Sequence, residues 1–169
     1  MDADFLLIHK MKNGDEEAIE VFVKKYYSTI RNYCRLHTYT DCDAEDITQA
    51  TFEHFFRSFR SYHHLGKTAN YLYVIARNLC RDSYKKKRDI VMEALPDKGE
   101  NPIAVIENKI DIEESIKLPE DLQEVVILHY FQDLKLKEVA DIIGIGLPLV
   151  KYRIGKAKEL LSVYLGDKK

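Results

Sequence analysis

Residues 134–161 read LKLKEVADIIGIGLPLVKYRIGKAKELL, and their spacing is that of a helix-turn-helix. Ala140 is small where two helices must approach closely, and Gly144, four residues on, takes the positive φ of a sharp turn. Ile145 plugs the turn, and Val150, Ile154, Ala157 and Leu161 form the inner face of the second helix. Pro148 fits the first helical turn, where no amide donor is needed. Lys151, Tyr152, Gly155 and Lys156 are left pointing outward, flanked by Arg153 and Lys158. Lys151, Arg153, Lys156 and Lys158 lie within eight residues that hold no acid. A helix with that face suits the major groove and its phosphates, whereas an ordinary helical hairpin would only solvate it.

The rest of the 169-residue chain is also helical in pattern, and no alternating strand pattern competes. Asp4 to Lys12 carries Phe5, Leu7, Ile8 and Met11, and Asn13-Gly14 stops it. Asp15 is an N-cap for a second helix bearing Ala18, Phe22, Tyr26, Ile30 and Tyr33. Asp43 is expected to cap a third helix, Ala44 to Phe59, and Thr68 a fourth whose inward face would be Leu72, Ile75, Ala76 and Leu79. Pro119 is expected at the first position of a later helix. The expected fold is all-α, with two small helical domains over residues 1–88 and 103–169 joined by a flexible acidic linker over 89–102. Residues 103–118 are expected to be helical, and the linker holds Pro96-Asp97, Lys98-Gly99 and Asn101-Pro102.

Net charge is only −2, yet it is unevenly spread. Arg77, Arg81, Lys85, Lys86, Lys87 and Arg88 face only Asp82, while residues 89–114 carry eight acids against Lys98 and Lys109. Two basic blocks separated by an acidic one imply two nucleic-acid surfaces and a tether. The acidic N-terminus argues against a secretory signal, and no apolar run is long enough to span a bilayer. Cys34, Cys42 and Cys80 then read as reduced thiols of a cytoplasmic protein. Cys34, His37 and Cys42, with His63 and His64, lack the paired spacing of a structural zinc site. Isolated glycines make no phosphate loop, and no nucleophilic triad stands out. Neither an enzyme nor a bound metal or cofactor is expected.

Two further strings decide the class: DAEDITQATFEHFFRSF over 43–59 and TANYLYVIARNLCRDSYKKKRD over 68–89. In this order, with the loop between them and the C-terminal motif, they resemble an extracytoplasmic-function (ECF) sigma factor of bacteria, from about Gly14 to Leu161. The resemblance implies a sigma region 2-like domain followed by a sigma region 4-like domain. It implies that Glu45, Asp46, Gln49, Phe52 and Glu53 dock on core RNA polymerase, although Phe52 suits a core position equally well. It also implies that the loop and helix with Tyr62, His63, Lys67, Thr68, Asn70 and Tyr71 capture the −10 promoter element as single strand. Arg77, Asn78, Arg81 and Lys85 would then follow phosphates, and Tyr73 is a further candidate for stacking.

The −35 element would be read as duplex by Leu149, Lys151, Tyr152, Arg153, Gly155, Lys156 and Lys158. Members commonly carry a polar residue at Leu149, a larger side chain at Gly155 and Gly at Pro148, so the −35 sequence read here is expected to differ, while their usual Trp in place of Tyr71 bears on the −10 pocket. Implied partners are core RNA polymerase, promoter DNA and an anti-sigma factor, with no small-molecule substrate and no membrane insertion. The alternatives are a helix-turn-helix regulator that acts without core polymerase and a sigma-like adaptor that holds polymerase without reading DNA.

Overall fold

A computed structural model describes residues 3–91 and 118–166, with the side chains of 88–91 and 164–166 left aside. The chain divides into two compact units, Met1–Gly99 and Glu100–Lys169. Most of the expected acidic linker and the helix expected over 103–118 lie outside the described residues.

The first unit is built from α1 (Ala3–Lys12), α2 (Glu16–Leu36), α3 (Asp41–Arg57) and α4 (Thr68–Val91), with a 3₁₀ turn at Phe59–Ser61. Asp15 caps α2 as its sequence suggests, its carboxylate accepting from the Ala18 N–H at 3.1 Å. The heart of the unit is aromatic. Phe22 of α2 stacks on Phe55 of α3 at 4.9 Å between centroids and meets Phe52 edge-on at 6.4 Å. Tyr33 of α2 meets Tyr73 of α4 edge-on at 5.4 Å. Thr48 and Thr51 are buried within α3, where their hydroxyls donate back to the carbonyls of Ala44 and Ile47 at 2.6 and 2.7 Å. α1 is pinned by its buried Asp4, which accepts from Lys25 and Tyr26 of α2.

Helix boundaries and one helix face differ from the sequence reading. α3 begins at Asp41, capped by the Thr40 hydroxyl, which accepts from the Asp43 N–H at 3.1 Å. That leaves the Asp43 carboxylate to pair with Lys87 of α4, and this partner holds it below the usual carboxylate range. The inward face of α4 is Leu72, Tyr73, Ala76 and Cys80, with Ile75 and Leu79 only half-buried. Pro119 stands just ahead of its helix as the cap rather than within it.

The second unit holds α5 (Glu120–Val126), which widens into a π-helical turn at Ile127–Phe131, then α6 (Leu136–Ile143) and α7 (Leu147–Gly166). The His129 imidazole donates to the Leu134 carbonyl at 2.7 Å and fastens the chain leading into α6. Leu118, Leu122 and Val126 pack with Ala157, so α5 covers the inner face of α7.

Candidate nucleic-acid interface

The turn between α6 and α7 has the geometry its residues dictate. Gly144 takes φ +79°, and the N–H groups of Gly144 and Ile145 both donate to the Ala140 carbonyl, at 2.9 and 3.2 Å. Val139 and Val150 are fully buried against each other's helices, and Ile154 and Ala157 continue the inner face. The Glu138 carboxylate accepts from the Lys135 N–H at 2.8 Å and closes the first turn of α6.

On α7 the outward set is Leu149, Lys151, Tyr152, Gly155, Lys156 and Lys158, all exposed, with Tyr152 at 65 %. A Cβ at Gly155 would meet nothing within 4 Å. Lys156 bridges Glu159 at 3.2 Å along the same helix. Arg153 departs from the set. It is half-buried and its guanidinium turns to Asp121 of α5 at 3.6 Å, so the cations exposed on this face are Lys151, Lys156 and Lys158.

In the first unit, Tyr62 stacks on Tyr71 at 5.2 Å with planes 23° apart, and both rings lie against Phe55. The Tyr62 phenol and the His64 ring each share a hydrogen bond with the Thr68 hydroxyl, at 3.2 and 3.1 Å, and the Tyr71 phenol shares one with Ser58 at 3.1 Å. The loop is therefore a braced arch rather than a loose one. His63, Leu65 and Lys67 project from it, and Leu65 is 81 % exposed. The Lys12 ammonium of α1 donates to the Tyr62 carbonyl at 2.6 Å and lies over the Phe59 ring.

Thr68 and Asn70 are buried, and the Thr68 hydroxyl braces the arch through Tyr62 and His64, so neither side chain is presented outward as the sequence reading expects. Tyr73, 1 % exposed, is likewise core and offers no stacking surface. Asn78, Arg81 and Lys85 are exposed at three- and four-residue steps along α4, beside half-buried Arg77.

On α3, Asp46, Gln49 and Glu53 form one exposed acidic stripe. Phe52 is buried between Phe22 and Tyr27, the core reading of that residue. Glu45 is engaged inside the unit. It accepts from the Tyr27 phenol and from Arg31 at 2.6 Å, and those bonds hold its carboxyl below the ordinary range. Beside the stripe runs a shallow groove floored by Val23, Tyr27, Phe52 and Phe56 and rimmed by Gln49, Glu53 and Arg57.

Lys12, Leu65 and the groove floor apart from Phe52 have no site role in the sequence reading. The floor was legible as the half-buried edge of two helical stripes. A lone lysine before Asn13-Gly14 carried no signal. Among the described residues no helix is long and apolar enough to cross a membrane, and no three His, Cys, Asp or Glu side chains group as metal ligands. Cys34 and Cys80 are buried and Cys42 exposed, all as free thiols.

Comparison with known proteins follows the same division. The family model described as Sigma-70 region 2 matches residues 22–90, and that described as Sigma-70, region 4 matches 116–161. The ECF RNA polymerase sigma factor SigW of Bacillus subtilis is 29 % identical, over 95 % of this chain and 95 % of its own length. The ECF RNA polymerase sigma factor SigE of Mycolicibacterium smegmatis is 31 % identical over 73 % of this chain and 52 % of its own. CnrH, solved with the cytosolic domain of CnrY, shares the fold with a TM-score of 0.78 at 22 % identity, covering 99 % of this chain and 100 % of that one. The sigma factor RpoE, solved with the anti-sigma factor NepR from Bartonella quintana, gives 0.73 at 17 %, covering 89 % and 98 %.

Proposed function

The chain belongs to the ECF sigma factors of the sigma-70 family, and on that premise we propose that it works as a dissociable promoter-specificity subunit of bacterial RNA polymerase. One observation carries the reading: region 2 and region 4 occur in order on a single chain, so one polypeptide holds both a strand-capturing and a duplex-reading element. A lone helix-turn-helix regulator has no use for the first of these.

The first domain, residues 1–88, binds core polymerase through Asp46, Gln49 and Glu53. Their exposure as one acidic stripe suits a basic partner helix. Glu45 and Phe52 act from beneath, by shaping that surface. The −10 element is captured at the braced arch, where His63, Lys67 and the Tyr62–Tyr71 pair meet the displaced strand and Arg77, Asn78, Arg81 and Lys85 follow its phosphates. Thr68 and Asn70 position that arch.

The acidic linker, residues 89–102, tethers the second domain, residues 103–169. There Leu149, Lys151, Tyr152, Gly155, Lys156 and Lys158 meet the −35 duplex, and Arg153 sets the attitude of α7 through Asp121. Bond formation belongs to polymerase, and the protein acts in the cytoplasm, where polymerase and DNA are. An anti-sigma factor is the natural regulator, as the sigma factor RpoE was solved with one, NepR.

Run-off transcription with purified core polymerase and genomic fragments tests this reading. Initiation from a defined subset of fragments, absent without the protein, is the expected result. Failure to bind core or to direct any initiation would overturn it.

A further inference from the structure

Cys34 of α2 and Cys80 of α4 lie forty-six residues apart in the chain and meet in the core of the first unit. They are 0 % and 4 % exposed, and the Cys80 thiol donates a hydrogen bond to the Cys34 sulfur. Thr48 of α3 adjoins Cys34, so the pair sits where three helices come together. Tyr33, beside Cys34, packs edge-on against Tyr73 of α4 and holds the two helices against each other. Neither thiol belongs to the acidic stripe, the arch or the exposed face of α4, so the function proposed above makes no use of them.

A buried cysteine is ordinarily a small apolar filler whose thiol is inert. This pair departs from that in two ways. Each sulfur has the other within hydrogen-bond reach, and that bond holds the Cys34 thiol below its ordinary value although burial pushes it up. A thiol so lowered is the attacking one, and its neighbour is placed to resolve what it forms. Cys42, exposed in the first turn of α3, stands outside the pair.

We propose that Cys34 and Cys80 are a reversible redox pair, closing to a disulfide between α2 and α4 when hydrogen peroxide enters the core. Cys34 attacks one peroxide oxygen, the O–O bond breaks, and a sulfenic acid forms as one water leaves with the Cys34 proton. The Cys80 sulfur then attacks the Cys34 sulfur, the S–O bond breaks, and a second water leaves with the Cys80 proton. Two thiols lose two electrons, and the peroxide is reduced to two waters. Hydrogen peroxide is scarcely larger than water and enters by local opening of α4 at Cys80. A thiol reductant of the cytoplasm reopens the bond.

The closed bond would ring residues 35–79, which carry the acidic stripe of α3 and the whole arch. It crosslinks their scaffold from within and changes no outward side chain. The result is a first domain that resists unfolding while oxidant is present. This inference does not depend on the sigma reading and survives its failure.

The test uses the full chain, reduced, as wild type and as Cys42→Ser, where the altered side chain is exposed. Each is oxidised with hydrogen peroxide, quenched by alkylation and mapped by mass spectrometry. The expected product is a Cys34–Cys80 linked peptide, about 2 Da lighter than the two thiol peptides together, formed alike in both proteins. The thermal midpoint of oxidised Cys42→Ser should rise by about 10 °C and return on adding dithiothreitol. In Cys80→Ser the link is lost, and dimedone should capture the sulfenic acid on Cys34. Cys34 and Cys80 both still alkylated after denaturation, under peroxide that oxidises Cys42 in the wild type, overturn the proposal. So does a link that forms only in the urea-unfolded chain, or a linked chain whose midpoint does not rise.

Discussion

The Lys12 ammonium, at the last residue of α1, donates to the backbone carbonyl of Tyr62 at 2.6 Å, fifty residues along the chain. The bond ties the first helix to the start of the arch, and the same lysine spans the Phe59 ring. α1 is itself anchored by buried Asp4 to Lys25 and Tyr26 of α2. The arch is thus held from outside as well as by its own Tyr62–Thr68–His64 bonds.

Replacing Lys12 by Met removes that tie but keeps an apolar stem over Phe59. A hydrogen bond at an exposed site contributes about 1 kcal/mol, so promoter melting should fall by about two- to five-fold while core binding is unchanged. Permanganate reactivity of −10 thymines in preformed holoenzyme reads this directly. Lys12→Arg should restore most of it. Equal melting by all three proteins would mean that the arch holds its shape without α1.

The acidic stripe and the aromatic core of α3 make separable predictions. Asp46→Lys and Glu53→Lys reverse exposed charges that carry no ion pair among the described residues, so they should lower core affinity by ten-fold or more at low salt and barely move the thermal midpoint. Phe52→Ala empties a site between Phe22 and Tyr27 and should cost about 3 kcal/mol of stability. Core-binding titrations beside thermal melts distinguish the two. Full core affinity in the charge-reversed proteins would remove the stripe from the docking surface.

Much of this was legible in the sequence because it depends on local spacing. Ala140, Gly144, Ile145 and Val150 determine the turn of the helix-turn-helix within eleven residues, and the backbone obeys them. What was not legible depends on partners far along the chain. Thr40, Asp41 and Asp43 are all competent caps for α3, and only Lys87, forty-four residues later, decides the matter by claiming the Asp43 carboxylate. Tyr71 and Tyr73 look alike in sequence. Two positions on a helix are 200° apart, which sends one to the arch and the other into the core against Tyr33. Arg153 reads in the sequence as a DNA-facing cation, and only the fold brings Asp121 of α5 to it.

The Glu45 network predicts a pH dependence. Bonds from Tyr27 and then Arg31 depress the folded-state carboxyl below its unfolded value of about 4.3. A depressed carboxyl stabilises the fold above the unfolded value, and that contribution is lost as pH falls through the folded one. Glu45→Gln should therefore be less stable than wild type at pH 7, by an amount that holds to about pH 5 and narrows below about pH 4. Urea midpoints across that range give the answer. A gap that stays constant down to the acid limit would mean that Glu45 titrates normally.

Arg153 and Lys156 lie one turn apart on α7 and are expected to behave oppositely. Arg153 is half-buried and directed at Asp121, whereas Lys156 is exposed on the outward face and bridges only Glu159 beside it. Lys156→Ala should weaken −35 duplex binding at every sequence and flatten the dependence of log affinity on log salt by about 0.9, the release of one phosphate's counterion. Arg153→Ala should leave that slope in place and lower the stability of the second domain by about 0.5 kcal/mol, since its partner is largely solvated. Duplex binding measured from low to moderate salt, beside thermal melts of the same proteins, separates a phosphate contact from a brace. If the two slopes exchange, Arg153 leaves Asp121 for the DNA on binding, and the outward face of α7 regains the fourth cation that its sequence suggested.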